Sequence, residues 1–222
     1  MTDLINVTGI IIKSEPIGEY DRRIVLLTTG KGKVTAFARG ARRPNNRFVA
    51  GTNLFCFGDF GLYGGRNSYT VNEINVKNYF DKLHGDYEAA YMGMYFAEIA
   101  DYYSRENADD LELMKLFYQS LRALMADNIS NELIRAVYEI KAVAVNGEFK
   151  IPKENEISTD LNYTLNYILN TPVERLYNFK LSEKLLEELK GLAGRTVNSA
   201  IDIRLKSLDM LNELKITNSC VF

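Results

Sequence analysis

Lys33-Val34-Thr35-Ala36-Phe37-Ala38-Arg39 alternates strictly: Val34, Ala36 and Ala38 fall on one side of an extended chain, Lys33, Thr35, Phe37 and Arg39 on the other. The small apolar side suits the inside of a barrel. The other side sets cations about an aromatic ring, which suits a nucleic-acid strand, because cations track phosphates and a ring stacks a base for about 1–3 kcal/mol. The plainer reading is that Phe37 packs on a neighbouring element while the cations solubilise the surface. The chain then runs into Arg42-Arg43-Pro44-Asn45-Asn46-Arg47, which reads as a flexible basic loop without a regular period.

Outward from this stretch the period of two persists. Asn6–Ser14, Arg22–Thr29, Leu54–Tyr63 and Tyr69–Tyr79 are rich in Val, Ile, Thr, Phe and Tyr. Turns at Ile17-Gly18-Glu19, Gly30-Lys31-Gly32 and Gly64-Gly65-Arg66-Asn67 separate them. Short strands in this number predict a small closed antiparallel barrel, since closure removes exposed edges. Gly58, Gly61 and Gly64 supply the bends that closure needs, and the longest gap, Gly40 to Asn53, lies between the third and fourth strands.

After His84 the period changes to about 3.6. Met92, Tyr95, Phe96, Ile99 and Tyr103 form one apolar stripe, Leu113, Phe117, Leu121 and Leu124 a second, and Leu133, Val137, Ile140 and Ala144 a third. Asp109 and Ser130 are N-cap candidates, and Asn146-Gly147 ends a helix. Residues 148–160 read as a surface loop; Leu161–Leu169, Ser182–Leu192 and Thr196–Leu214 read as helices. The resulting fold class is α+β: an N-terminal five-stranded antiparallel barrel over 1–80, an all-α domain over 81–214, and a loose tail over 215–222.

The formal net charge of −2 conceals an asymmetry. Residues 1–78 hold eleven Lys and Arg against six Asp and Glu, which makes them +5 and leaves −7 for the rest. Phosphate binding requires local rather than global positive charge, so the first third is a candidate polyanion surface. Arg22 and Arg23 rank lower, because Glu19 and Asp21 stand close enough to neutralise them.

Little in the chain favours catalysis. The one histidine, His84, has no nucleophile motif near it, and the carboxylate pairs Asp109/Asp110 and Glu187/Glu188 read as solvated helix faces. Cys56 and Cys220 suit neither a disulfide framework nor a C-x-x-C zinc site. No apolar run reaches the roughly 18 residues of a membrane span, and Met1-Thr2-Asp3-Leu4 has no signal-peptide pattern. The expectation is a cytoplasmic protein without metal or cofactor.

A resemblance sharpens this reading. Val7-Thr8-Gly9-Ile10-Ile11-Ile12-Lys13-Ser14, then Gly18-Glu19-Tyr20-Asp21-Arg22-Arg23 and Gly32-Lys33, resemble the opening of RecO-family proteins. So do Ala38-Arg39-Gly40-Ala41-Arg42-Arg43-Pro44, and Leu62-Tyr63 followed by Gly65-Arg66 and Tyr69-Thr70-Val71. Arg204-Leu205-Lys206-Ser207-Leu208-Asp209-Met210-Leu211 resembles the family's closing helix. The resemblance implies an OB-type barrel before a helical domain. It also implies a non-catalytic bacterial recombination mediator at the nucleoid, which binds single- and double-stranded DNA and anneals complementary strands. The implied partners are RecR, with RecF in some members, and the C-terminal tail of single-strand-binding protein, whose expected seat is a helical groove with an apolar floor and a basic residue. Carried over by position, the DNA-facing set is Lys13, Lys33, Arg39, Arg42, Arg43, Arg47 and Arg66, with Phe37 and Tyr63 as stacking residues. Many members carry a four-cysteine zinc motif; the corresponding span here, Gly147 to Asn170, has no cysteine, so packing of Ile151, Ile157, Leu161 and Leu165 is expected in its place. The rival readings are an OB protein acting on RNA or in replication, and a metal-dependent nuclease.

Overall fold

The computed structural model describes residues 4–65, 68–153 and 155–219, with side chains in the last helix described as far as 214. The chain divides into two compact units: 1–84 with 100–114, and 85–99 with 115–222.

Strands β1 (Leu4–Ile17), β2 (Asp21–Thr28), β3 (Gly32–Ala38), β4 (Phe57–Gly64) and β5 (Tyr69–Asn78) close a barrel in the order β1-β2-β3-β5-β4. The expectation of a wholly antiparallel sheet is corrected at one seam: β3 and β5 run parallel, pairing Ala36 with Tyr69 and Phe37 with Thr70. The cause is arithmetic. Directions that alternate around a ring return consistently only for an even strand count, so a five-membered ring carries one parallel pair. β1 is longer than its sequence pattern suggests because a bulge between Ile11 and Lys13 bends it, so that one strand serves both β2 and β4. Register shifts at Phe57/Gly58 and Gly61/Leu62 fall at glycines of β4, as barrel closure requires. Inside pack Val7, Ile11, Ile24, Leu26, Val34, Ala36, Phe60, Leu62 and Val71.

Residues 100–114 complete this unit. They hold the last turn of α1 (Tyr87–Tyr103) and the first of α2 (Leu111–Leu124). Between these turns the chain runs along the start of β3: the Lys33 amide donates to Arg105 O at 2.9 Å, and the Asn107 amide donates to Lys31 O at 2.9 Å. Gly32 lies opposite Glu106 with φ of +57°, and a Cβ there would stand 2.1 Å from Arg105 O. Asp109 accepts from Leu111 N–H at 3.4 Å, but Asp110, rather than Asp109, directly precedes α2.

In the second unit α3 (Asn131–Val145) is buried on most of its circumference. Ser130 caps it, accepting from Leu133 N–H at 3.3 Å, and Gly147 follows it at φ +76°, as the sequence predicts. The Phe96 ring stacks on Tyr138 with centroids 4.1 Å apart, and Tyr138 donates to Phe96 O at 2.9 Å. Glu139, only 2% exposed, accepts from Tyr95 OH at 2.6 Å and from Arg135 Nε at 2.8 Å. A buried carboxylate without these donors would be strongly unfavourable.

Within the cysteine-free span Gly147 to Asn170 the chain forms α4 (Thr159–Asn170), capped by Ser158. Leu161 and Leu165 are buried and Ile157 is partly so, but Ile151 is 73% exposed and takes no part in the packing expected of it. An ammonium group contributes instead: Lys141 Nζ reaches Leu169 O at 2.7 Å and Thr171 O at 3.2 Å, satisfying carbonyls at the C-terminus of α4. α5 (Glu183–Ala200) runs through Gly191 and Gly194, and α6 (Lys206–Ser219) starts afresh. The predicted helix Thr196–Leu214 is thus broken at Ile201, which is extended. The apolar period hides the break, because Ile201 and Leu205 are both buried. α6 begins where Glu98 accepts from the Ser207 hydroxyl at 3.1 Å and faces its amide at 3.3 Å.

Gly32→Ala combines left-handed strain with a main-chain collision, and its expected cost is about 2–4 kcal/mol. Gly30→Ala, at φ +77° but with open space around the new Cβ, should cost about 1 kcal/mol. Thermal unfolding followed by circular dichroism distinguishes the two; equal losses would contradict the close approach at Gly32.

Candidate nucleic-acid interface

β3 alternates as its sequence requires. Val34, Ala36 and Ala38 are buried; Lys33, Thr35 and Phe37 are half-buried on the outside, and Arg39 is exposed at the strand's end. The sheet register then joins residues distant in sequence. Arg23 pairs with Phe37, Phe37 with Thr70, Thr70 with Tyr63, and Tyr63 with Leu4, making one transverse row on the barrel's outer face. Strands lie about 4.8 Å apart, so Phe37 and Tyr63, two strands apart, are separated by about 10 Å at the backbone. Tyr63 is 42% exposed. Both candidate stacking residues therefore belong to one surface, with Thr70 between them.

The basic loop after β3 is braced rather than flexible, which corrects its sequence reading. Gly40, at φ +68°, donates its amide to Asp21 Oδ1 at 2.6 Å, and the Arg42 amide donates to Tyr20 O at 2.8 Å. The Arg42 guanidinium reaches Glu19 O at 3.2 Å, and that of Arg43 lies 4.6 Å from the Tyr20 ring centroid. Arg47 donates to Asn72 O at 2.6 Å, two residues along β5 from Thr70, with its guanidinium 4.7 Å from the Phe48 ring centroid. These contacts involve neutral oxygens and rings. The arginines stay exposed.

Four other barrel cations are committed to carboxylates. Lys13 Nζ stands 2.7 Å from Asp101 Oδ2 and Lys33 Nζ 3.1 Å from Asp101 Oδ1; Lys33 also donates to Asp101 O at 2.9 Å. Burial pushes the Asp101 carboxyl up, but hydrogen bonds from Lys13 and Lys33 outweigh it and hold the group below the usual carboxylate range. Arg23 pairs with Glu15 at 3.0 Å and Lys77 with Asp59 at 2.7 Å, while Arg22 donates to Asn53 at 2.6 Å. Among the described residues of the barrel, Arg22, Lys31, Arg39, Arg42, Arg43 and Arg47 have no carboxylate partner, and Arg22 is occupied by Asn53. Arg66, also a sequence candidate, lies outside the described residues. Thr70, Asn72 and Lys31 join the surface without having been singled out in the sequence.

The arrangement offers rings for bases and unpaired guanidiniums for phosphates. Cys56 does not add a nucleophile: it is buried, and burial pushes its thiol up to about 11.

The family model described as recombination protein O N terminal matches residues 1–80, and recombination protein O C terminal matches residues 84–149. The DNA repair protein RecO of Acetivibrio thermocellus is 30% identical, over 93% of this chain and 96% of its own length. The RecO proteins of Clostridium novyi and Clostridium perfringens strain 13 are each 26% identical, covering 93% and 96% of this chain and 93% and 99% of their own lengths.

Asp101 provides a test of the pairing at the barrel. A carboxyl held below its unfolded value contributes stability that is complete above the ordinary range near pH 4 and is lost as pH falls below it. Asp101→Asn should lower Tm at pH 7 by about 2–4 °C, for a partly screened pair of about 1 kcal/mol. The gap from wild type should narrow as pH falls below the ordinary carboxylate range and close once Asp101 is protonated in the folded state as well. A gap that persists in acid would mean that the Lys13 and Lys33 pairing contributes nothing.

Proposed function

The chain belongs to the RecO family of DNA repair and recombination proteins, and we propose that it acts by binding and annealing strands rather than by catalysis. Single- and double-stranded DNA would lie on the Phe37–Thr70–Tyr63 row. Arg39, Arg42, Arg43 and Arg47 would take phosphates. The supporting observation is the coincidence of that row with the arginines that no carboxylate neutralises. Two complementary strands repel one another, and a basic surface that screens both lowers the cost of bringing them together. In the cell the protein would work at the nucleoid with RecR and RecF, helping recombinase to load on gapped DNA coated by single-strand-binding protein.

That protein's C-terminal tail would sit on the helical unit. A cleft of about 400 Å3 is lined by Tyr163, Tyr167, Phe179, Leu181 and Leu185, with Lys180 and Asp160 as its charged residues. Tyr167 and Phe179 meet edge to face with centroids 4.9 Å apart, forming an apolar floor. Lys180 would take the terminal carboxylate, as ammonium groups do at such sites.

Annealing of labelled complementary oligonucleotides, without metal or nucleotide and across a salt series, tests the main reading. Acceleration that fades steeply with salt is expected. Arg39→Ala/Arg42→Ala/Arg43→Ala should flatten the log–log salt slope for single strands by about 2, or about 0.7 for each phosphate no longer neutralised. Unchanged affinity and slope in that variant would remove the site from this loop. Lys180→Glu should weaken binding of the tail peptide at least about 10-fold in fluorescence anisotropy; unchanged binding would place the tail elsewhere.

A further inference from the structure

Among the described residues, β3 pairs with β5 at Ala36–Tyr69 and Phe37–Thr70. A cleft of about 300 Å3 opens there, walled on one side by Glu106 and Asn107 and on the other by Ser68 and Tyr69. Lys31, Lys33, Val34 and Thr35 also line it. The Lys33 amide points out from β3 to Arg105 O, and the two-residue period of a strand turns the Thr35 main chain the same way. Both walls are held in place. Glu106 lies opposite Gly32, Asn107 is fixed by its amide bond to Lys31 O and sits at φ +59°, and the Gly65 amide donates to Ser68 O at 2.8 Å.

The lining is mixed in a way that simple phosphate binding does not explain. With Lys33 committed to Asp101, Lys31 is the cation left at the cleft among the described residues, and Glu106 brings a carboxylate. Thr35, Ser68 and Asn107 add hydroxyl and amide groups that both donate and accept. Donors and acceptors around a bounded slot beside a cation match a nucleotide: a phosphate for Lys31 and a base edge for the polar groups, while the Tyr69 ring packs partly against the barrel core. The slot also adjoins the outer face of β3, along which Lys33, Thr35, Phe37 and Arg39 follow one another.

We propose that this cleft holds one unstacked nucleotide of a bound single strand and that Glu106 reads its base edge, preferring a base that presents an exocyclic amine. The proposal rests on the DNA-binding reading above and adds to it a point of base preference. A carboxylate accepts from the cytosine N4 amine but faces a carbonyl oxygen at the equivalent position of thymine. Oligodeoxycytidine and oligodeoxythymidine of equal length carry equal charge, so comparing them separates base reading from phosphate attraction.

The experiment is binding of the two homo-oligomers to the full chain, measured by anisotropy, for wild type and Glu106→Gln. Oligodeoxycytidine should bind about 5–10-fold more tightly to wild type. In Glu106→Gln, whose amide can pair with either base, the ratio should fall to within about twofold while the salt slope is unchanged. Circular dichroism confirms that this exposed substitution leaves the fold intact. Equal affinities in wild type, or a preference that survives Glu106→Gln, would overturn the proposal while leaving the DNA-binding reading in place. Failure of both oligomers to bind at low salt would overturn both.

Discussion

Five strands closed into a ring must include one parallel pair, and the consequences of that seam run through the barrel unit. β3 and β5 are joined across it by a register of two residues, Ala36–Tyr69 and Phe37–Thr70. This register places Phe37 in one row with Tyr63, which no antiparallel hairpin would have brought beside it. Among the described residues it also leaves the first half of β3 without a strand partner on that side. The segment at Arg105–Asn107 covers part of the open edge, and the remainder is the polar cleft. One topological requirement therefore produces both the aromatic row and the slot next to it.

Charge on the barrel is sorted by what lies within reach. Asp101 takes Lys13 and Lys33, Glu15 takes Arg23, and Asp59 takes Lys77. The arginines after β3 meet carbonyl oxygens and aromatic rings instead, contacts that orient a guanidinium without cancelling it. Attraction for a polyanion thus concentrates at one end of β3. The helical unit solves its buried-charge problem differently, surrounding Glu139 with Tyr95 and Arg135 and setting Lys141 against helix-end carbonyls.

Much of this was legible in the residues. The alternation from Lys33 to Arg39 carries the faces of β3, and the change of period after His84 announces the helices. Ser130 and Gly147 mark the ends of α3 because caps are local chemistry. What escaped depends on contacts far apart in the chain. Asp101 stands 88 residues from Lys13 and 68 from Lys33, so no local pattern could reveal that those two cations are paired. Thr70 entered the surface through a parallel pairing that only ring closure dictates. The division between α5 and α6 stayed hidden because Ile201 and Leu205 continue the apolar period across the break, while Ile151 is apolar yet largely solvent-exposed.

The return of residues 100–114 to the barrel unit after an excursion through 85–99 has a consequence for synthesis. When the ribosome has released the fifth strand, the barrel still lacks the backbone partner of Gly32 and the counterion of Lys13 and Lys33. These arrive only after most of α1 has emerged, and that stretch belongs to the other unit. The nascent barrel must therefore wait, with the edge of β3 uncovered, for a piece encoded about 30 residues downstream of the strand that closes it. By the same threading, a single proteolytic cut after residue 84 would leave the barrel short of its last piece, because the chain crosses from one unit to the other three times, at 84/85, 99/100 and 114/115.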